Sequence, residues 1–280
     1  MRYFFRIEYD GTAYGGWQVQ TNAKSIQQTL NDAFSTVTRS QCVVTGAGRT
    51  DAGVHARAQG AHVDIGIPVD ISKCEISVNA VLPPDIGIYG MRQVEASFHA
   101  RFDAVRRSYA YYLADRKRPL LFKRVWMIFN EVDWSKVEHN IPFLTGTHDF
   151  SAFCSSNTTT ENMVCTVSAA SLCLHEGIRV FSISADRFIY KMVRSIVGTL
   201  IDIGRGRLET TIESIIAGRD RTSAGETAPA CGLVLDYVEY KEIRDDLTPA
   251  FQDGKRPPAP FPLSHRATLG STRRGDRGQG

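Results

Sequence analysis

The stretch that most constrains this chain is residues 42–63, in which an apolar run leads into a glycine-rich segment and out to a second apolar run. This pattern predicts a strand, a tight loop and a second strand. Three glycines occupy the loop, at Gly46, Gly48 and Gly53. They allow the backbone to bend tightly around a single carboxylate, Asp51. A loop of this kind is better suited to presenting an acid in an active site than to lying in solvent.

The residues alone leave other interpretations of this loop open. Gly-x-Gly after a strand is typical of a dinucleotide-binding turn, but Asp51 stands where its third glycine would be, and a carboxylate there would repel a pyrophosphate. Asp51 and His55 have the spacing of a helical metal pair, but Gly53 disfavours a helix and the sequence offers no third ligand nearby. Asp51 could also cap an ordinary turn, with Arg49 as surface charge, because aspartate is common in turns.

The segment at residues 46–56, GAGRTDAGVHA, resembles the signature of the TruA-type tRNA pseudouridine synthases. A match of this length within one motif is highly specific. The resemblance implies that Asp51 is the carboxylate that attacks the target uridine and that Arg49 binds the substrate. The local pattern by itself indicates only a loop that presents an acid.

A second match lies at residues 9–20, YDGTAYGGWQVQ, because a YDG…GWQ stretch recurs near the N-terminus of the same family. We expect this glycine-rich segment to expose Tyr14 and Trp17.

Residues 106–113, RRSYAYYL, resemble the family segment in which an aromatic side chain on a strand faces the catalytic loop. The match places that role on Tyr109. A tyrosine ring offers a flipped uracil a π-face, and its hydroxyl can donate a hydrogen bond or move a proton. The alternative is that Tyr109 and Tyr111 simply form one face of a strand, as aromatic residues often do.

Residues 188–200, FIYKMVRSIVGTL, resemble a third motif of the family. Arg194 lies there among apolar side chains, so it either extends to solvent or meets a buried partner. The resemblance names Asp51 as that partner. A bidentate ion pair would keep the carboxylate ionised, as a nucleophile requires.

The segment at residues 231–240, CGLVLDYVEY, resembles the C-terminal Gly-Leu motif of the family. The resemblance implies that Leu233 packs against the uracil. The alternative is a core leucine at the start of a strand.

The chain departs from the family pattern at three positions. Ala110 and Cys165 stand where the family often has a basic residue, and Arg187 stands where a small residue is more common. We expect these positions to lie on the RNA-facing surface, where they would affect substrate affinity and target breadth but not the chemistry.

The length of 280 residues suits one large domain or two smaller ones. A composition of 42% hydrophobic and 22% charged residues is typical of a globular protein with a sizeable core. No apolar run reaches the ~20 residues that a membrane helix needs. Arg6 and Glu8 interrupt the first apolar stretch, which predicts a strand and not a signal peptide. The six cysteines show no C-x-x-C pair, so we expect buried thiols in a reducing cytoplasm.

The net charge of +3 is unevenly distributed. Residues 249–280 carry six Lys or Arg against two Asp or Glu, a net +4, which leaves the preceding residues at −1. The richness of this tail in Pro, Gly and Arg predicts disorder. Residues 98–124 hold eight basic residues against two acidic ones, interleaved with aromatics. That mixture suits RNA phosphates and bases, although a solvated basic face is the alternative.

Alternating and helical apolar patterns together predict an α+β fold. In residues 1–104 the predicted order is strand, helix, strand, strand, helix, strand, which is a ferredoxin-like unit carrying the catalytic Asp loop. Residues 105–248 repeat this order loosely. We therefore expect two ferredoxin-like halves that form one continuous mixed, mostly antiparallel sheet with flanking helices, as in the pseudouridine synthase fold that the resemblance implies. The active-site cleft would lie between the halves.

Several individual elements are also predicted. Ser25 and Gln28 form a capping box at the start of a first helix. A second helix should stop at Pro83. Residues 144–153 are predicted to be a loop, and residues 188–203 a strongly apolar helix.

The resemblance extends over residues 2–240. It implies isomerisation of uridine to pseudouridine in the anticodon stem-loop of tRNA, around positions 38–40, with the base flipped out of its stack. It also implies that no metal or cofactor is needed and that the protein is a homodimer whose subunits both contact the tRNA. From the apolar run lengths and the cysteines we expect no membrane association and a cytoplasmic location. Whether the acid attacks C6 of uracil or C1′ of the ribose stays open.

Two hypotheses from other classes are a tRNA-binding folding factor without catalysis and a nucleotide-binding oxidoreductase. The combination of Asp51 with Arg49 and Arg194 argues against the first. The chain has no cofactor fingerprint for the second.

Overall fold

The computed structural model of the chain describes residues 1–155 and 161–243, in which ten strands and five α-helices form an α+β fold. The strands are β1 (Arg2–Tyr9), β2 (Val44–Gly46), β3 (His55–Asp64), β4 (Ile86–Val94), β5 (Ala104–Ala114), β6 (Trp126–Met127), β7 (Gly146–Asp149), β8 (Val164–His175), β9 (Ile178–Ala185) and β10 (Leu233–Tyr240). The helices are α1 (Ile26–Thr38), α2 (Ile71–Val81), α3 (Trp134–Asn140), α4 (Met192–Gly204) and α5 (Ile212–Gly218). The tail predicted at residues 249–280 lies outside the described residues.

The strands form one sheet in the order β4-β1-β3-β10-β5-β9-β8-β7, with β2 beside β3 and β6 beside β5. Neighbouring strands are antiparallel, except that β10 is parallel to β3 and β6 is parallel to β5. The predicted fold class, a mixed and mostly antiparallel sheet with flanking helices, is confirmed. The predicted boundary between residues 104 and 105 stays a prediction. In the sheet, β10 lies between β3, which precedes this boundary in the chain, and β5, which begins at it.

Each half of the sheet carries its own apolar core. In the N-terminal core α1 packs on β1, and the Phe34 and Phe5 rings lie 5.0 Å apart. In the C-terminal core α4 packs on β5 and β9, with Ile196 and Phe181 among the buried side chains. Tyr109, in the middle of β5, packs against both cores. Its ring therefore marks the line along which the two halves meet.

The predicted start of the first helix and stop of the second are confirmed, but the capping box is only half formed, because Gln28 Nε2 donates to Asp32 Oδ1. The Ser25 side chain accepts from the Gln28 backbone N–H at 3.2 Å at the start of α1. The second helix, α2, ends at Val81, two residues before Pro83. None of the helices in the described ranges is both long and apolar enough to cross a membrane.

Two predictions in the second half are wrong in detail. Residues 144–153 are not a loop throughout, because Gly146–Asp149 forms β7 by pairing with β8, a contact that no local pattern encodes. The apolar helix begins at Met192 and not at residue 188. Lys191, just before it, has a left-handed backbone with φ of 61°, which interrupts the helical hydrogen-bond pattern.

Candidate active site

Asp51 lies in the connection between β2 and β3, which we call the Asp51 loop (residues 47–54). Hydrogen bonds fix the residue just before the acid. The Thr50 carbonyl accepts from the Trp17 backbone N–H at 3.0 Å, and the Thr50 and Tyr9 hydroxyls lie 2.8 Å apart. The carboxylate is therefore presented on a backbone that two neighbouring segments hold in place.

Glycines let the YDG…GWQ segment pack directly against the Asp51 loop. A Cβ on Gly16 would lie 2.7 Å from the Thr50 carbonyl oxygen, and a Cβ on Gly46 would overlap the Trp17 ring. Tyr14 and Trp17 are only 4% and 3% exposed. The prediction that they are exposed is wrong, because both rings belong to the N-terminal core that supports the loop.

The first turn of α4 brings Arg194 to the acid. Its Nη1 donates to Asp51 Oδ2 at 2.6 Å, and its Nε donates to the Ala228 carbonyl at 2.8 Å. The side chains of Arg194 and Asp51 are 15% and 21% exposed, so the pair is shielded from water without being closed off. The expected ion pair is present, but its expected bidentate geometry is wrong. The guanidinium is shared between the carboxylate and a backbone carbonyl.

The segment that carries Ala228 packs closely on α4. The Ala228 N–H donates to the Arg194 carbonyl at 3.1 Å, so these two residues are hydrogen-bonded in both directions. Gly198, on the next turn of α4, permits the approach, because a Cβ there would overlap the Glu226 carbonyl oxygen. The direction of the arginine is thus set by a helix and by a second backbone segment.

Tyr109 lies beside this pair. Its ring is perpendicular to that of Phe188, with 5.1 Å between centroids. Burial, followed by the negative charge of Asp51, raises the pKa of Tyr109 well above its ordinary value, while Arg107 opposes the shift. The phenol therefore stays protonated at neutral pH and can donate a hydrogen bond.

Arg107 is a residue that sequence analysis missed. Its Nη1 donates to the carbonyls of Ala104 and Asp186, each at 2.8 Å. Its Nη2 donates to the Arg101 carbonyl at 2.6 Å and to the Ala47 carbonyl of the Asp51 loop at 3.3 Å. One side chain thus joins the Asp51 loop to the ends of β5 and β9. A basic residue on a predicted strand is the only signal in the sequence, and that signal does not reveal four backbone partners.

Arg49 and Leu233 differ in accessibility. Arg49 is exposed, and within the described ranges it has no hydrogen-bond or ion-pair partner. Its guanidinium is therefore available to a bound molecule. Leu233 is 5% exposed, belongs to the C-terminal core and pairs with Tyr111 of β5. Core packing accounts for this leucine, and its contact with a uracil stays a prediction.

The fold does not support the metal-pair interpretation of the loop. Asp51 contacts Arg194, whereas His55 is buried and its Nδ1 lies 3.1 Å from Asp10 Oδ1. That contact holds the pKa of Asp10 well below its usual range. In residues 1–155 and 161–243, no group of three or more His, Cys, Asp and Glu side chains is placed to hold a metal ion.

The fold also disagrees with a dinucleotide-binding turn. Such a turn leads from a strand into a helix whose N-terminus faces the pyrophosphate. Here the glycine-rich loop joins two antiparallel strands, β2 and β3.

Two of the three departures from the family pattern are buried. Ala110 and Cys165 are both 0% exposed, so the expectation that they face RNA is wrong. Ala110 points to the face of β5 opposite the C-terminal core, and Cys165 lies within that core. Arg187 is partly exposed and its Nη2 donates to the Asn162 carbonyl at 2.9 Å.

The basic segment at residues 98–124 does not form one continuous cationic surface. Several of its side chains are used internally, as where Arg106 Nη2 lies 2.6 Å from Glu239 Oε2. Others, including Arg101 and Lys117, are exposed. Only part of the segment is thus available to phosphate groups.

The chain is similar to known proteins over most of its length. Residues 143–241 match a family model described as tRNA pseudouridine synthase. The chain is 41% identical over 244 residues to tRNA pseudouridine synthase A of Porphyromonas gingivalis, covering 85% of this chain and 97% of that one. It is 42% identical over 247 residues to the protein of the same name from Bacteroides thetaiotaomicron, covering 86% of this chain and 91% of that one. For the Acetivibrio thermocellus protein of that name the identity is 41% over 239 residues, covering 84% and 97%.

Proposed function

Because this chain belongs to the tRNA pseudouridine synthase A family, an enzyme family that converts uridine to pseudouridine, we propose that it acts on the anticodon stem-loop of tRNA, around positions 38–40, by flipping the target base out of its stack. Asp51 is the nucleophile. Arg194 orients it through the ion pair, and Tyr109 contacts the flipped uracil.

The contact between Arg194 Nη1 and Asp51 Oδ2, at 2.6 Å, is the observation that carries this proposal. A charge-assisted hydrogen bond of this length fixes the position of the carboxylate. Arg194 also donates a hydrogen bond to the Ala228 carbonyl. This second bond limits the rotation of the guanidinium and therefore the orientation of the carboxylate that it binds. The acid is therefore oriented before the substrate arrives.

The reaction is an isomerisation, so its atoms balance within the nucleoside. Asp51 attacks the flipped uridine, at C6 of the base or at C1′ of the sugar. The N1–C1′ bond breaks, the uracil rotates within the site, and a C5–C1′ bond forms. The proton leaves C5 and a proton is gained at N1, and the carboxylate is released. Neither a metal nor a cofactor takes part in this scheme.

Tyr109 suits the base-binding step. Its ring offers a π-face, and its raised pKa keeps the hydroxyl protonated as a hydrogen-bond donor to a uracil carbonyl. Arg49, which is exposed at the Asp51 loop, binds the phosphate backbone near the flipped nucleotide. Leu233 would contact the uracil from the end of β10.

The family resemblance also supports proposals about the molecule as a whole. The enzyme is a homodimer whose two subunits both contact the tRNA, and it acts in the cytoplasm. Its chain divides near residue 104 into two ferredoxin-like halves. Sedimentation of the full chain, alone and with tRNA, tests the dimer: a monomer that turns over at full rate would contradict it.

Direct mapping of pseudouridine in an unmodified tRNA transcript tests the reaction and its positions together. The wild-type protein is expected to modify the anticodon stem-loop, and Asp51→Ala and Asp51→Asn to lose turnover to background while still binding the transcript. Asp115→Asn, at a surface carboxylate on the far end of β5, is the control and should retain full activity. Turnover above background by Asp51→Ala would remove Asp51 as the nucleophile.

The same experiment separates an enzyme from a tRNA-binding folding factor. A factor of that kind would bind the transcript, but incubation with the wild-type protein would leave every uridine unchanged. The shielded Asp51–Arg194 pair favours the enzyme, because it holds a carboxylate in a fixed orientation, which passive RNA binding does not require.

A further inference from the structure

We propose that Phe102 is a stacking site for an unpaired nucleobase of the RNA substrate, separate from the base that reacts at Asp51. This inference rests on the proposed function and adds a second point of contact with the RNA. The site comprises Phe102, His99 and Arg101, which we call the Phe102 site.

Phe102 is the outer member of a short aromatic stack. Its side chain is 73% exposed, and its ring centroid lies 4.3 Å from that of His99 with an interplanar angle of 34°. His99 in turn contacts the buried His62 ring, 5.0 Å away. One face of the phenylalanine is therefore supported by protein and the ring is mostly open to solvent. The Arg101 guanidinium carbon lies 5.6 Å from the Phe102 centroid, which places a cation beside the ring.

Hydrogen bonds hold the turn that carries this stack. The Phe102 N–H donates to the His99 carbonyl at 3.1 Å, and the His99 N–H donates to Asp103 Oδ2 at 2.7 Å. The Ala100 N–H donates to His62 Nδ1 at 3.1 Å. An exposed aromatic ring on a fixed backbone loses little conformational entropy when a ligand stacks on it.

Arg107 joins this turn to the start of the Asp51 loop. The same Nη2 atom donates to the Arg101 carbonyl, in the turn, and to the Ala47 carbonyl, in the Asp51 loop. A nucleic acid that brings one base to Asp51 therefore passes close to the Phe102 site. Arg49, in the Asp51 loop, and Arg101, in the turn, are both exposed and supply positive charge at the two places.

The surroundings of Phe102 favour a nucleobase over a protein partner. A protein-binding hot spot is a cluster of apolar side chains in a dry pocket, whereas the neighbours of Phe102 are imidazole, guanidinium and carboxylate groups. Single exposed aromatics flanked by cations are the arrangement that proteins use to stack unpaired bases. The anticodon loop of the proposed substrate supplies such bases beside the stem.

Steady-state kinetics of Phe102→Ala with a tRNA transcript test the proposal. Loss of one base–aromatic stack is expected to raise KM about 5- to 150-fold while kcat at saturating tRNA changes less than about twofold. Phe102→Tyr, which keeps a ring, should restore most of the affinity. Phe129→Ala is the matched control, because Phe129 is 71% exposed but follows β6, which pairs with the C-terminal end of β5, whereas Phe102 precedes the N-terminal end of β5. Its KM should equal that of the wild type.

Binding without turnover keeps this test independent of the chemistry. In an Asp51→Asn background, adding Phe102→Ala should weaken binding of the anticodon stem-loop by the same factor, and should leave binding of a fully paired hairpin unchanged. An unchanged KM and Kd for the stem-loop, or an equal loss with the paired hairpin, would overturn the Phe102 site. Neither result would bear on the hypothesis that Asp51 is the nucleophile. Turnover by Asp51→Ala would contradict that hypothesis instead.

Discussion

At the scale of single residues, the proposed chemistry depends on how one guanidinium divides its hydrogen bonds. Arg194 Nη1 donates to Asp51, and Arg194 Nε donates to the Ala228 carbonyl. The same guanidinium therefore binds both the acid and the backbone segment that carries Ala228. A bidentate pair would have occupied the carboxylate more fully. The observed geometry leaves Asp51 Oδ1 without a bond to Arg194.

Arg194→Lys should lower kcat by about 100-fold, because an ammonium cannot reach both acceptors and a small misplacement of the nucleophile is costly. Single-turnover rates on the tRNA transcript measure the effect. Arg207→Lys, at a more exposed arginine near the C-terminal end of α4, serves as the control. A single-turnover rate for Arg194→Lys equal to that of the wild type would show that the guanidinium does not position the acid.

His62 gives a pH dependence of stability that can be predicted in sign. Burial, with smaller effects of Arg2 and His99, lowers the pKa of His62 to about 4 from an unfolded value of 6.5. Between these two values the unfolded chain takes up a proton that the folded chain does not, so stability falls as the pH falls from 6.5 toward 4. The loss at pH 5.0 relative to pH 7.5 should be about 2 kcal/mol.

Urea unfolding at pH 7.5 and 5.0 measures this loss. His62→Gln should reduce the difference between the two pH values, whereas His175→Gln, at an exposed histidine, should leave it as in the wild type. Equal pH dependence in His62→Gln and the wild type would contradict the assignment.

At the scale of elements, the site consists of two loops and the first turn of one helix. The Asp51 loop rests on the YDG…GWQ segment, where glycines remove the side chains that would keep the two backbones apart. In the same way, the absence of a side chain at Gly198 lets the segment with Ala228 pack directly on α4. Close backbone contact at both places is what brings the acid and the arginine to within 2.6 Å.

Gly198→Ala should therefore reduce activity, although the substituted residue does not contact the reacting atoms. The new Cβ would overlap the Glu226 carbonyl oxygen, so the segment with Ala228 must move and Arg194 loses a partner. We expect a stability loss of about 1–3 kcal/mol from overpacking, together with a lower kcat. Thermal unfolding and single-turnover assays report the two effects.

Gly218→Ala in α5 is the matched control for Gly198→Ala. No atom lies within 4 Å of a Cβ built at Gly218, so the substitution should leave kcat unchanged and stability the same or slightly higher. Full activity and full stability in Gly198→Ala would contradict the proposed packing.

At the scale of the whole molecule, the position of β10 matters most. This strand comes from the end of the described chain, yet it lies at the centre of the sheet, parallel to β3 and antiparallel to β5. Leu235 on β10 pairs with Ala56 on one side and with Tyr109 on the other. The two halves thus share a strand, which fixes the Asp51 loop relative to α4.

The shared strand predicts that the two halves unfold together. Trp17 reports on the N-terminal core, and Trp126 and Trp134 pack against the C-terminal core. Urea unfolding followed by fluorescence in Trp17→Phe and in the Trp126→Phe/Trp134→Phe double variant should each give one transition that coincides with far-UV circular dichroism of the same protein. Separate midpoints for fluorescence and circular dichroism in either variant would mean that the halves are independent.

Much of the fold and the central feature of the site could be predicted from the sequence, because they depend on short-range patterns. The N-cap at Ser25, the stop at Pro83 and the glycine-rich loop around Asp51 each involve residues close together in the chain. The family motif added Arg194 as a partner. Burial of Ala110, Cys165 and Trp17 was not predicted, because which face of a strand or loop is covered depends on elements far away in the sequence.

The sequence by itself therefore determined the fold class, most of the elements and the loop that presents Asp51. Only the tertiary structure decided which side chains meet. Asp51 and Arg194 lie 143 residues apart, Arg107 binds carbonyls from three separate segments, and β10 enters the middle of the sheet after every other strand. Periodicity in a sequence indicates which neighbouring side chains share one face of a helix or strand. Contacts between distant residues depend instead on how the helices and strands of the whole chain pack together.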